Sequence, residues 1–413
     1  MTIDLLGLGS LSFVALITLY MAMKCKDLSR VLFIAFVVRI LFLIINNNFK
    51  YLPDADMDGL IFEQRAWDWS QKGFFHLLDY YIGPDTYFLS FLIGIPYSLL
   101  GRSFLMAQSF SIFFGIGSVF LGWVIAKKLW GNTTAIKVAW VIALFPSLVS
   151  YSVLVMREVY ITFFLLLAFY GIVNWYRLKN FKSFIWIVIG FGASTFFHGA
   201  FAIGFIIFLL IIIFESLKKT FKLLFAKRIS INALIVTTFF SIILIFSVSN
   251  KINIPYIDFL KNLDEEELII NINSKVRGEA AYPEWTKINS KSELIYKIPI
   301  RTIYFLFSPF PWKITKVEHT IGVLDAFLYT VLAYLIFLNR RTILKDPTLR
   351  TLLIIALFYC ATFGLGVGNF GTAIRHRSKL VILLILLAAP LIPKLKFFIK
   401  KEIVKKIKKL KKA

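Results

Sequence analysis

A chain that crosses a bilayer does so as helices of about 20 mostly apolar residues, because lipid offers no hydrogen-bond partner to a backbone amide. Runs of this kind recur near 5–23, 31–46, 103–126, 133–153, 159–176, 183–198, 200–216, 230–249, 319–339, 350–367 and 380–393. They predict an all-α polytopic transmembrane bundle of about 11 spans over 1–393, followed by a separate tail at 394–413. Two shorter apolar stretches, 86–101 and 298–312, are interrupted by Gly or Pro and read as juxtamembrane or re-entrant pieces. The hydrophobic share of 59% and mean hydropathy of +0.77 lie well above the roughly 45–50% apolar content of a soluble domain. A water-soluble fold is excluded. The first apolar run lacks a basic leader and is long enough to span, so it is expected to be a retained helix.

Lys and Arg gather on the cytoplasmic side of membrane proteins. An external N-terminus puts KCKDLSR, AKKLWG, YRLKNFK, the Lys218 to Arg228 segment, NRRTILKDPTLR and the Lys-rich tail inside, and the whole formal charge of +24 then falls on that face. The tail spaces Leu395, Ile399, Ile403, Ile407 and Leu410 at helical intervals among ten lysines, a pattern for an amphipathic helix on anionic lipid rather than for nucleic acid. The external side keeps two loops, about 47–102 and 250–318. Frequent Lys, Ile, Asn and Phe fit an AT-rich coding sequence and a bacterial plasma membrane. Cys25 and Cys360 are too few for a disulfide framework or a metal-binding cysteine cluster.

Several external constellations can carry chemistry. YLPDADMDGLIFEQRAWDWSQKG sets Asp54, Asp56 and Asp58 at the start of a short helix whose Phe62 and Ala66 follow at i+4 and i+8. Carboxylates suit a helix N-terminus, so these residues read as acidic caps, or as a general base or metal ligand at the membrane surface. Arg157 and Glu158 open the fifth span, where a charged pair needs a partner or a wet cavity. GVGNFGTAIRHRSKL concentrates Arg375, His376, Arg377 and Lys379 on the side that the charge bias avoids. Arginine forks suit phosphate or diphosphate, and Gly368 and Gly371 allow close backbone approach. Arg301 lies in IPIRTIYFLFSPFPWKI, where Pro309 and Pro311 argue against a continuous helix and Trp312 fits an interfacial anchor. Asp85 and His198 are lesser candidates, and Pro146 reads as a kink. Arg39 is the clear mid-span charge, with Asp325 nearer a span end. HExxH, P-loop, GxSxG and CxxC patterns are absent from the sequence.

In order and spacing, these features resemble the GT-C superfamily of membrane glycosyltransferases, which includes protein O-mannosyltransferases and the aminoarabinose transferase of lipid A. Asp58, Phe62 and Ala66 match the family's Asp, aromatic and small-residue pattern in the first external loop. GPDTYFLSFLIGIPYSLLGRSFLMAQSFSIFFGIGSVFLGWVIAKKLWG resembles the juxtamembrane segment and following span, and ALFPSLVSYSVLVMREVYITFFLLLAFY resembles the span that brings a second acid, here Glu158, outside. The likeness covers roughly 30–180. Phe62 replaces the more usual Tyr, an extra N-terminal span precedes the loop, and no soluble periplasmic domain follows. NFGTAIRHR resembles segments of Wzy-type polysaccharide polymerases that use lipid-diphosphate-linked repeats.

The resemblance implies an extracytoplasmic transferase taking a polyprenyl-phosphate- or diphosphate-linked sugar to a glycan or lipid acceptor. Asp58, with Asp56 as its rival, would be the base. Arg375, His376, Arg377, Lys379 and Arg301 would hold the donor phosphate, and Asp58 with Glu158 would hold a divalent cation such as Mg or Mn. A polymerase or ligase of whole repeats is the alternative enzyme, and a lipid-linked glycan flippase or transporter the alternative outside enzymes.

Overall fold

The computed structural model describes residues 4–49, 52, 58–80, 86–178, 180–225, 231–248, 265–313 and 318–393. Asp54, Asp56, Asp85 and the tail at 394–413 lie outside the described residues. Among those described the architecture is helical, with one isolated antiparallel bridge between Ala281 and Asn369. In chain order the helices are α1 (Leu5–Lys24), α2 (Ser29–Phe49), α3 (Asp58–Ser70), α4 (Phe74–Tyr80), α5 (Phe88–Leu100), α6 (Phe104–Trp130) and α7 (Asn132–Leu144). Next come α8 (Pro146–Tyr151), α9 (Arg157–Leu178), α10 (Lys182–Phe197), α11 (Ala202–Phe225), α12 (Ile231–Val248) and α13 (Glu265–Asn273). The last are α14 (Leu294–Phe307), α15 (Glu318–Leu338), α16 (Arg340–Lys345), α17 (Pro347–Gly366), α18 (Phe370–Ser378) and α19 (Val381–Ala388).

Six of the described helical segments are long and apolar enough to cross a membrane: Leu5–Lys24, Ser29–Phe49, Phe104–Trp130, Arg157–Leu178, Gly199–Phe225 and Pro347–Gly366. Shorter apolar helices occupy the other expected runs. Large apolar side chains such as Phe13, Leu41, Phe214 and Leu357 stay exposed, as expected of surfaces solvated by lipid rather than water.

Two of the expected spans differ in form. The run at 133–153 is broken, because Pro146 has no N–H to continue α7 and instead starts α8 at its first turn. The run at 380–393 holds only an eight-residue helix and a 3-10 turn, Ala389–Leu391. All eight residues of α19 are buried. Packed against α7, α15 and α17, this helix is apolar on every side because every side meets protein. Asn339 and Trp130 donate to the carbonyls of Leu387 and Leu386 (3.1 and 3.0 Å), tying its C-terminal turn to the helices around it. In 298–312, α14 runs through Pro299 and stops at Phe307, one residue before the Ser308–Pro309 step.

Helix α3 is fastened to the helices beside it. Phe62 and Ala66 form the buried face of α3, and Ser90 of α5 donates to the Phe62 carbonyl at 2.7 Å. Glu63 takes a two-pronged bond from Arg102, at 3.0 and 2.7 Å, and lies 2.9 Å from the Tyr97 hydroxyl. The start of α3 is therefore held against the bundle.

Helices α9 and α10 approach closely through glycine. A Cβ at Gly190 would lie 2.3 Å from the Ala168 nitrogen and 2.6 Å from the Phe164 carbonyl oxygen, both backbone atoms that cannot rotate away. Gly192, on the same helix, has nothing within 4 Å of its Cβ position. Gly190→Ala is expected to lower the melting temperature in detergent, at an overpacking cost of about 1–3 kcal/mol, whereas Gly192→Ala leaves it unchanged or raises it.

Candidate functional site

Asp58, Glu158 and Arg375 come from three distant parts of the chain and meet at one place. Asp58 is the first residue of α3, Glu158 the second of α9, and Arg375 lies in the last turns of α18. Asn369 caps α18 by accepting the Thr372 N–H at 2.8 Å. The segment before α18 is bonded to the stretch between α13 and α14, with Tyr282 N–H donating to Gly368 (2.8 Å) and Phe370 N–H to Ala280 (2.9 Å). Gly368 is needed for that contact, since a Cβ there would fall 2.4 Å from the Lys275 carbonyl carbon. Its backbone approach serves the loop rather than an anion.

Arg375 donates through Nε to Glu158 Oε1 at 2.9 Å and through Nη1 to Asp58 Oδ2. Lys379 Nζ lies 3.1 Å from the same Glu158 oxygen. The side chains grade inward: Asp58 is 39% exposed, Arg375 14%, Glu158 1% and Lys379 0%. Glu158 and Lys379 thus form a buried pair whose desolvation is offset only if the charges stay matched. Asp58 is the member of the group that outside solutes reach.

Two histidines extend the cluster. Their rings are 5.4 Å apart between centroids. The Lys379 ammonium lies 3.0 Å from His376 Nδ1, and Ala200 N–H donates to His198 Nδ1 at 3.4 Å. The Ala200 amide can only donate, so His198 accepts on Nδ1. Burial pushes the His376 imidazole well below the usual histidine range, and the Lys379 charge adds to the effect.

Both rings line a cleft of about 290 Å³ that also takes in Lys275, Arg277 and Asn369. Among the described residues no carboxylate lines it. Lys275 and Arg277 bring fixed positive charge, and Asn369 Oδ1 is already occupied by its cap bond. Such a lining fits an oxyanion. Lys275 and Arg277 escaped the sequence reading because SKVRGE looks like ordinary solvated loop. The chain signals their role only through Gly368, the residue that lets their loop dock.

Other expected site residues lie elsewhere. Arg377 is fully buried, faces Asp325 at 3.0 Å, and donates to the carbonyls of Leu306 (3.0 Å) and Ser308. Arg301 is fully buried and donates to Leu365 (3.0 Å) and Val367 (2.9 Å) at the end of α17. Both guanidiniums tie the C-terminal helices together, and neither is among the residues that line the cleft. Arg157 borders the cluster, donating to the Phe197 carbonyl at 3.3 Å with its guanidinium 5.8 Å from the Phe62 ring centroid. Trp312 is exposed and stacked on Phe310.

A divalent cation held by Asp58 and Glu158 fits this arrangement poorly. The Arg375 guanidinium lies between the two carboxylates, and Lys379 shares the Glu158 oxygen. Among the described residues no three His, Cys, Asp or Glu side chains group as metal ligands. An incoming ion would have to displace Arg375.

The two kinds of arginine pairing separate by stability. Asp325→Asn leaves the buried Arg377 charge unmatched and is expected to cost about 3–5 kcal/mol. Asp58→Asn, at the exposed end of the cluster, is expected to cost about 1 kcal/mol or less. Thermal melts of the purified protein in detergent distinguish the two. Comparison of the sequence with protein-family models and with curated proteins finds no match, so the role of this cluster rests on its own chemistry.

Proposed function

We propose that this chain is a GT-C-like membrane glycosyltransferase. It moves a sugar from a polyprenyl-phosphate-linked donor to a glycan or lipid acceptor on the extracytoplasmic face of a bacterial plasma membrane. In this reading about 11 segments are membrane-embedded, the N-terminus is outside and the C-terminus is cytoplasmic. The observation that carries it is the convergence of Asp58 and Glu158 on Arg375 beside a cleft whose described lining has donors and no carboxylate. These elements, noted separately along the sequence for base and anion chemistry, lie together.

The donor phosphate occupies the cleft lined by Lys275, Arg277, His198 and His376. Asp58 accepts the proton of the acceptor hydroxyl as that oxygen bonds to the anomeric carbon. The bond from that carbon to the phosphate oxygen breaks, its electron pair stays on the phosphate, and the gathered donors stabilise the new charge. Arg375 keeps Asp58 aimed, and Glu158 with Lys379 holds Arg375. No step passes through a metal.

A second reading, a Wzy-type polymerase of whole repeats, draws support from the fact that the polymerase-like segment NFGTAIRHR supplies Arg375 and His376 to the cluster. Profiles of lipid-linked glycans separate the two. A repeat lacking one sugar marks a single-sugar transferase, and single intact repeats without chains mark a polymerase.

Asp58→Asn and Arg375→Ala are each expected to abolish glycan transfer in membranes that retain the folded protein. Normal transfer by either variant overturns the assignment. Joint replacement of Lys275 and Arg277 by Ala is expected to raise the KM for the lipid-linked donor by about tenfold or more, the loss of roughly 1.4 kcal/mol of binding. An unchanged KM removes the cleft as the phosphate site.

A further inference from the structure

Arg39 sits in the middle of α2 with 1% exposure. Its Nη1 donates to the carbonyls of Ala35 (3.0 Å) and Ala143 (3.2 Å). Its Nε has no partner among the described residues, and the same holds for Glu158 Oε2. A buried cation deep in a spanning helix is costly and calls for compensation. Both residues line one small cavity of about 10 Å³, room for a single water.

Three of the hydroxyls around this cavity have their hydrogens committed. Ser118 donates to Phe114 O (2.9 Å), Thr162 to Glu158 O (2.8 Å) and Ser378 to Arg375 O (2.7 Å). Their oxygens remain able to accept. The cavity therefore offers Arg39 Nε–H as a donor and several acceptors, including Glu158 Oε2. A small anion is repelled by the carboxylate and a cation by the guanidinium. Water matches the balance, accepting from Arg39 and donating to Glu158 and one hydroxyl. Gly115 keeps the space open, since a Cβ there would lie 2.9 Å from Arg39 Nε and 2.7 Å from Ser152 Cβ.

We propose that one internal water joins Arg39 Nε to Glu158 Oε2, making Arg39 a positioning residue for the Glu158–Arg375 pair. Arg39 never touches substrate in this scheme. It fixes the rear oxygen of Glu158 so that the front oxygen stays aimed at Arg375 and Lys379. The bridge itself is independent of what the chain catalyses, while its effect on turnover rests on the proposed transferase reading.

The test is a double-mutant cycle on melting temperature in detergent, using Arg39→Met and Glu158→Gln. Coupled residues give a combined shift at least about 2 °C smaller than the sum of the single shifts. Additive shifts overturn the bridge. Should Arg39→Met fail to fold, Gly115→Ala replaces it in the cycle and is judged by the same criterion. An experimental density map that resolves ordered water is expected to show a peak between the two atoms, and its absence also overturns the proposal. For the positioning role, Arg39→Met is expected to lower kcat for glycan transfer with KM unchanged, and Arg39→Lys to restore part of it. A raised KM at unchanged kcat overturns that role. If no transfer is found even for the unaltered protein, the transferase reading fails, while the melting cycle still decides the bridge.

Discussion

Glu158 is a carboxylate at the head of a membrane helix, 1% exposed, and it can remain there only while cations surround it. That requirement organises this end of the bundle. One oxygen takes Arg375 at 2.9 Å and Lys379 at 3.1 Å, so α18 and the segment that follows it must lie against α9. Arg375 then reaches Asp58 and draws the start of α3 to the same point. A buried charge that must be matched dictates which distant segments meet, and the meeting sets the exposed Asp58 carboxylate beside concentrated cations.

The second arginine of the RHR turn does the opposite work. Arg377 points into the protein towards Asp325 and the carbonyls at the end of α14. Two positions apart on a helix, side chains face different directions. Arg375 therefore serves the site and Arg377 its foundation. With Arg301 fastening the end of α17, buried guanidiniums hold the C-terminal helices rigidly around α19 and fix the position of α18.

Much of the fold was legible in the chain because lipid imposes a simple rule on backbone polar groups. The apolar runs predicted helices, and the described residues carry helices at each of them. The helix beginning at Asp58, with Phe62 and Ala66 on its buried face, also followed from spacing alone. The short buried α19 was read as a span, since an apolar helix surrounded by protein and one surrounded by lipid have similar composition. The break at Pro146 was taken for a kink, because local sequence does not reveal which way the next segment turns.

The candidate site was legible as parts. Asp58, Glu158, Arg375, His376 and Lys379 stood out because charge at those places opposes the apolar surroundings or the loop bias. The outward direction of Arg375 and the inward direction of Arg377 depend on helix phase and on Asp325, which lies 52 residues away. Lys275 and Arg277 acquire meaning only when their loop docks on Gly368. Sequence by itself determined that the chain is a helical membrane protein, because hydropathy is a local property of consecutive residues. Tertiary structure alone decided which charges face one another, because an ion pair between residues 217 or 317 positions apart is a property of packing and leaves no local mark.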